Sequence, residues 1–355
     1  MRVLIADGGT GGHIFPAIAV ANELKKRNEV EAILFTGTAS GLEGGIVPRH
    51  GYDLKMIHVG GLIGKSVMTK VKTLLQLPGA YLQSARIIKE FQPSVAIGFG
   101  AYASGPVLVA ANRKKVPVLI VEPNAIPGFT NRMVLRFAKK VAAAYEDRSG
   151  VFQGKAVITG TPVRPLQKVT KESSKFTVGI YCGSQGSRAI NNVVIDALPD
   201  LVTMRESIHV IHQTGQTDFE RVKSIYDSVA PFFEATPFIH NVEEFYSNCD
   251  LLICRAGAIT LAEITALGKP AILVPLPTAA HNHQEQNARR LAEAGAAKMI
   301  LQKEFSARTL LEEIKLLSHS PEILEQMSVE ARHLGKPDAA KRVADLALSL
   351  VKRET

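Results

Sequence analysis

At 355 residues the chain is too long for one ordinary core, and its 46% hydrophobic and 21% charged content is that of a folded globular protein, so two domains are expected. A formal charge of +9, with aromatics at 6% and no tryptophan, argues against nucleic acid, whose binding modules interleave rings with basic residues, and leaves anionic lipid or a phosphorylated substrate. No apolar run approaches a membrane span, the first residues enter a strand without a leader pattern, and Cys182, Cys249 and Cys254 form neither a metal pair nor a disulfide framework, so a reducing, cytosolic setting is expected.

The first element is the buried strand "VLIA", followed by "GGTGGHIFP" (8–16) and a helical run that ends in basic residues. Glycine is costly to order, so this cluster signals a tight turn or close backbone approach to a ligand. A strand, a glycine loop and a helix together present a helix N-terminus to a phosphate. Strand-like runs then continue through "AILFTG", "DLKMIHV", "SVAIGFG", "VPVLIVE", "KVAAAY" and "KAVITG". Residues 161–175, within "GTPVRPLQKVTKESSK", are polar and read as a linker. The pattern restarts at "FTVGIYCGSQGSRAINN", with later strands at "IHVIHQTG", "ATPFIH", "LLICRAG" and "PAILVPL". The fold class is therefore α/β, with two Rossmann-like doubly wound domains facing across a cleft and ligands beyond the strand C-terminal ends.

Two familiar cofactor signatures fail. Counting from Gly9, the third glycine of a dinucleotide fingerprint would be Ile14, and the second strand ends at Thr36-Gly37 without a ribose-binding carboxylate. "GGLIGKS" (60–66) lacks the first glycine of a P-loop, where Val59 stands. No cofactor is expected. His281 and His283 form H-x-H without a nearby carboxylate or cysteine, and no D-x-D occurs, so no metal is expected either.

Other stretches carry recognisable chemistry. In "GSQGS" (183–187), Ser184 and Ser187 suit a diphosphate, although an ordinary N-cap explains a serine equally well. In "CRAGAITLAEITALGKP" (254–270), Glu263 lies early in a helix, where its carboxylate can accept a ribose cis-diol or merely offset the dipole. Gln284 and Asn287 of "HNHQEQNA" suit sugar hydroxyls. Without a chelated metal, helix N-termini and Arg164 must supply positive charge to a diphosphate.

Taken in order, "GGTGGHIFPAIAVA", "GFGAYASGP", "NAIPGFTNR", "GTPVR", "GSQGSRAIN", "HQTG", "CRAGAITLAEI", "HNHQEQNA" and "GKPDAAKRVAD" resemble the MurG family over nearly the whole chain. These are bacterial UDP-GlcNAc:undecaprenyl-diphospho-muramoylpentapeptide N-acetylglucosaminyltransferases. The resemblance implies a GT-B fold and inverting transfer of GlcNAc from UDP-GlcNAc to the 4-hydroxyl of MurNAc in lipid I. The product would be lipid II, for peptidoglycan synthesis, cell-wall biogenesis, cell shape and division. It implies an acceptor domain over 1–160, a UDP-GlcNAc domain over 176–335, and a C-terminal helix within 336–355 packing back on the N-terminal domain.

Carried over by motif, Ile239 of "PFIHN" meets the uracil through its backbone and Glu263 meets the ribose. Ser184 and Arg164 meet the diphosphate, while Ala258, Ile259, Thr260, Leu261 and Ala262 line the donor. Gln284 and Asn124 meet sugar hydroxyls, and Thr10, Gly11 and Gly12 line the donor–acceptor junction. Tyr102 and Ser104 hold the acceptor diphosphate. Two departures stand out: "VEPN" (121–124) replaces the family's frequent "HEQN", and "CGSQGS" replaces "GGSQGA". The first removes any role for that histidine or glutamine; the second keeps the loop glycines and Ser184.

Direct displacement needs a general base. His13 is the first candidate, because a helix N-terminus disfavours imidazolium; a purely bracing role is the alternative, and Glu122 is the reserve base. Residues 60–91 mix Leu62, Ile63, Met68, Leu74 and Leu75 with Lys65, Lys70 and Lys72, which suits the anionic inner leaflet or an ordinary amphipathic helix. The implied location is peripheral, on the cytoplasmic face of the cell membrane. A GT-B enzyme with another acceptor and a non-catalytic sugar-nucleotide-binding subunit are the competing functions.

Overall fold

A computed structural model describes residues 1–8, 11–38, 41–60, 67–147, 150–166, 174–183, 185–279 and 282–351. Thr10, Ser184 and His281 therefore lie outside the described residues, as do Leu62, Ile63 and Lys65. For residues 11, 67–72 and 74 only the backbone is described. The chain divides into two compact units, Met1–Pro165 with Lys336–Thr355, and Leu166–Gly335.

In the first unit the elements run β1 (Arg2–Ala6), α1 (Gly11–Lys25), β2 (Ala32–Thr38), α2 (Glu43–Ile46), β3 (Asp53–Ile57), α3 (Val67–Phe91), β4 (Val95–Gly98), α4 (Ala101–Arg113), β5 (Val118–Glu122), α5 (Phe129–Val134), β6 (Lys140–Ala143) and β7 (Ala156–Ile158). The strands form one parallel sheet in the order β3-β2-β1-β4-β5-β6-β7. Successive β1 side chains go to opposite cores: Val3 and Ile5 to one, Leu4 and Ala6 to the other. Both sheet faces are covered, which is why such strands read as unbroken apolar runs.

In the second unit β8 (Phe176–Tyr181), α6 (Arg188–Thr203), β9 (Ile208–Gln213), α7 (Phe219–Val229), β10 (Glu234–Thr236), α8 (Val242–Asn248), β11 (Leu251–Cys254), α9 (Ala258–Leu267), β12 (Ala271–Leu273), α10 (His283–Glu293), β13 (Lys298–Met299), α11 (Ala307–Ser318) and α12 (Pro321–Leu334) follow. Their parallel sheet has the order β10-β9-β8-β11-β12-β13. On one face Val178 and Ile180 pack with α6, α7 and α11; on the other Leu252 and Cys254 pack with α8, α9 and α10.

The last helix, α13 (Ala339–Ser349), belongs to the first unit. Its Val343, Ala344 and Ala347 share a core with Ala17, Val20, Ala21 and Leu24 of α1, and Asp345 pairs with Arg27 at 2.6 Å. This backing fixes the axis of the helix that carries His13. The chain re-enters the unit beside Gly160, whose φ is 83° and where a methyl group would lie 2.5 Å from Lys336 Cβ, leaving no room for a side chain.

The strands are shorter than the runs: of "ATPFIH" only Ala235 and Thr236 lie in β10, the chain leaving the sheet at Pro237, and "KAVITG" contributes Ala156–Ile158. The two-residue β13 had no counterpart among the expected strands.

Candidate functional site

In doubly wound sheets, ligands bind beyond the strand C-termini where the winding reverses. In the first sheet that point lies between β1 and β4; in the second it lies between β8 and β11. The two glycine loops follow β1 and β8, so both open at a reversal point.

At the first reversal point α1 begins at Gly11, with Gly12 exposed and His13, the third helical residue, half-buried. The turn after β4 runs through Gly100 (φ 90°) and Ala101 (φ 57°), both left-handed; for alanine that is a strained backbone. The strain brings the chain against the histidine. A methyl group on Gly100 would lie 3.3 Å from His13 Cε1 and 3.6 Å from Asn131 Nδ2.

Asn131 leads to Glu122, at the end of β5. Glu122 is 1% exposed and accepts four hydrogen bonds. Oε1 takes the Asn124 N–H (3.0 Å) and Asn124 Nδ2 (3.1 Å), while Oε2 takes the Gly128 N–H (2.9 Å) and Asn131 Nδ2 (2.8 Å). Burial pushes its pKa up, and these bonds pull the other way. Glu122, the expected reserve base, is thus found in a closed environment. Both oxygens are buried and accept two hydrogen bonds each, so in this structure the carboxylate organises the 122–131 loop. The same bond uses an Asn124 amide hydrogen.

Ser104, expected at the acceptor diphosphate, is likewise enclosed. It is fully buried, and its hydroxyl donates to the Ala101 carbonyl at 3.1 Å, which braces the first turn of α4. Tyr102 is half-buried and its hydroxyl lies 3.4 Å from Thr38 Oγ1. Thr38 in turn donates its N–H (2.7 Å) and hydroxyl (3.1 Å) to Glu43 Oε1. Arg164 lies in the first unit, its guanidinium 5.5 Å from the centre of the Phe15 ring on α1.

Two buried carboxylates escaped the sequence reading, Asp7 and Glu43, each 1% exposed. Asp7 ends the apolar run of β1, the one signal that marked it. Its Oδ1 accepts the Gly8 N–H at 2.7 Å, while Oδ2 makes no hydrogen bond among the described residues. Burial first, and the Glu43 charge second, raise its pKa from 3.8 to about 8 against the pull of Gly8. Between those values the folded state holds a proton that the unfolded chain has released, so stability is lost as pH rises through this window. Asp7→Asn keeps the Gly8 acceptor without the charge. In chemical denaturation its stability relative to the wild type is therefore expected to increase steadily from pH 5 to 8. A difference that stays constant with pH excludes Asp7 as the source.

At the second reversal point, Gly183 (φ 74°) and Gly186 (φ 67°) shape the loop into α6. Ser187 caps α6, its Oγ accepting the Ile190 N–H at 3.4 Å and a 2.6 Å bond from Arg255. Of the two readings for Ser187, the cap is therefore the one observed. Arg255, another residue the sequence reading missed, also donates to the Val274 and Pro275 carbonyls and to Gln302, tying the loops after β8 and β11 together.

Gly257 starts α9 without a side-chain cap, leaving its first N–H groups to other partners. Ala258, Ile259, Thr260 and Ala262 are half-buried there, whereas Leu261 is 1% exposed and belongs to the core. Only the main chain of Leu261 is thus available to line a donor. Glu263 lies in the second turn of α9, past the reach of a simple dipole role, and is 2% exposed. It was expected as an open cleft carboxylate; instead Tyr246 donates to its Oε2 at 3.0 Å. Ile239 sits in the loop after β10, half-buried against the core that holds Tyr246 and Leu261. Gln284 accepts the Leu276 N–H at 3.0 Å, and Asn287 is fully buried on α10. Among the described residues no cluster of His, Cys, Asp or Glu is arranged to hold a metal ion.

The Glycosyltransferase family 28 N-terminal domain matches residues 3–143, and the Glycosyltransferase family 28 C-terminal domain matches residues 177–343. A protein of Anaeromyxobacter sp. strain K is 42% identical over 359 residues, spanning 99% of this chain and 94% of its own length. It is named UDP-N-acetylglucosamine--N-acetylmuramyl-(pentapeptide) pyrophosphoryl-undecaprenol N-acetylglucosamine transferase. A protein of Thermodesulfovibrio yellowstonii with the same name is 41% identical over 367 residues, covering 100% of both chains. The crystal structure of Acinetobacter baumannii MurG superposes with a TM-score of 0.80 at 31% identity, covering 98% of this chain and 99% of that one.

Proposed function

The chain belongs to glycosyltransferase family 28, and from that premise we infer that it transfers GlcNAc from UDP-GlcNAc to the MurNAc 4-hydroxyl of undecaprenyl-diphospho-MurNAc-pentapeptide, giving lipid II. The observation that carries this reading is the coincidence of the family's loops with both reversal points, on a chain 42% identical end to end to a transferase of that name. In the second unit, the Gly183–Ser187 loop and the start of α9 offer main-chain N–H groups to the donor diphosphate. Ile239 offers its backbone to the uracil, Glu263 its carboxylate to the ribose, and Gln284 its amide to the sugar. In the first unit, His13 takes the proton from the acceptor hydroxyl as it attacks the anomeric carbon. UDP leaves without a covalent intermediate, its charge met by N–H groups and Arg164.

The protein works at the cytoplasmic face of the membrane, against its anionic lipids. Leu75 and Leu82 on α3 are 77% and 67% exposed, and Arg86 and Lys89 are exposed at helical spacing from them. An apolar stripe beside cations suits a lipid headgroup layer. No helix among the described residues is long and apolar enough to cross a membrane.

The deciding assay incubates the full chain with UDP-GlcNAc and a lipid I analogue, where transfer of GlcNAc with release of UDP is expected. Donor binding without transfer favours a non-catalytic subunit, and transfer to a different acceptor alone favours another GT-B activity. Glu263→Ala is expected to weaken UDP-GlcNAc binding by roughly 1.5–3 kcal/mol, the range for hydrogen bonds to a charged group. Because Tyr246 then loses its buried acceptor, the variant is also expected to melt earlier. Unchanged donor affinity in calorimetry removes Glu263 from the ribose.

A further inference from the structure

The "HQTG" stretch (212–215) closes β9, yet the roles assigned above leave it unused. We propose that Gln213 is a positioning residue that holds the diphosphate loop and the uracil loop in one register through a single buried amide. The proposal rests on the reading that these two loops bind the donor.

Gln213 is fully buried at the C-terminal end of β9. It lies between Tyr181 of β8 and Thr236 of β10, its register partners on either side. Its side chain therefore reaches the first residues beyond both neighbouring strands. Oε1 accepts the Cys182 N–H at 3.2 Å, and Nε2 donates to the Gly183 carbonyl at 2.8 Å and the Pro237 carbonyl at 3.2 Å. The amide oxygen and both amide hydrogens are thus spent, all on main chain. Its orientation is dictated, since an N–H needs an acceptor and two carbonyls need donors. Gly183 opens "GSQGS" and Pro237 opens "PFIHN", two residues before Ile239. A base read through backbone groups tolerates only small displacements of the strand that carries them.

The neighbouring groups reinforce the clamp. A methyl group on Gly186 would lie 2.0 Å from the Thr214 carbonyl oxygen, and one on Gly215 would lie 2.4 Å from that of Gln185. The 183–187 loop and the Thr214–Gly215 turn that follows Gln213 therefore cross at backbone contact, which only glycine permits. Asn191 of α6 donates to the Thr214 carbonyl at 3.0 Å and lies 3.0 Å from His212 Nε2. His212 Nδ1 is 2.9 Å from the Tyr226 hydroxyl. This arrangement fixes the strand end from which Gln213 projects.

Q213M removes every polar atom at nearly constant length, and Q213E keeps the acceptor for Cys182 while setting a carboxylate against two carbonyls. Calorimetry on the full chain with UDP and with uridine is expected to show UDP affinity reduced roughly 10- to 100-fold in both variants. Uridine affinity is expected to fall as well, although it carries no phosphate, and KM for UDP-GlcNAc to rise far more than kcat falls. Earlier melting with unchanged affinities and KM would mean a purely structural role and overturn the proposal. Failure of the wild type to bind UDP overturns the donor-site reading instead. One measurement needs no variant: uridine bound to the wild type is expected to slow amide exchange in residues 182–187 as well as 237–241. Protection confined to 237–241 overturns the coupling.

Discussion

Alanine at position 13 is expected to lower turnover by roughly 100- to 10,000-fold, the range for loss of a general base. UDP affinity is expected to change little, because His13 is assigned to the acceptor hydroxyl and makes none of the contacts assigned to the nucleotide. The ring is well placed for the role: it is half-buried at the N-terminal turn of α1, against the left-handed turn at Gly100–Ala101. Farther along α1, Ala17, Val20, Ala21 and Leu24 pack in one core with α13, so the ring is carried by a rigid element. Loss of the base should also erase the acidic limb of the pH–rate profile. A bracing role gives another pattern, in which donor and acceptor KM values rise together and the acidic limb persists. Near-normal turnover, or a surviving limb, takes proton acceptance away from His13.

Glu122→Ala is expected to destabilise the first unit by about 3–4 kcal/mol, near the upper end for single substitutions. It strands the N–H groups of Asn124 and Gly128 and the amides of Asn124 and Asn131 at a site that is 1% exposed. Glu122→Gln is expected to cost about 1–3 kcal/mol, because its new amide hydrogens meet donors where a carboxylate met them as an acceptor. Activity should fall in parallel with stability, since the 122–131 loop also positions Asn131 beside the His13–Gly100 contact. Unfolding curves and turnover measured on the same samples decide the matter. Wild-type stability with selectively abolished turnover would return Glu122 to acid–base chemistry.

The strand–loop–helix repeats were legible because the central strands of a doubly wound sheet are buried on both faces and so write largely apolar runs. β1, β4, β5, β8 and β11 are all of this kind. The two glycine loops were legible for a related reason: backbone that must turn sharply after a strand leaves its mark in residue type. From these followed the α/β class, the repeat of one architecture and the placement of both loops at strand ends. Side-chain environment was not legible, because it is set by residues far away in sequence. Glu263 reads as an open carboxylate until Tyr246, from a separate helix, closes over it. Glu122 and Ser104 carry plausible chemistry in one dimension, and the burial of β5 and α4 spends that chemistry on neighbouring main chain. Asp7 follows an ordinary strand, and burial in the folded unit, with the Glu43 charge adding to it, raises its pKa to about 8. Gln213 shows the division most clearly. Its motif was visible in the sequence, but the two loops it joins begin 30 and 24 residues away, and only the sheet order sets it between them.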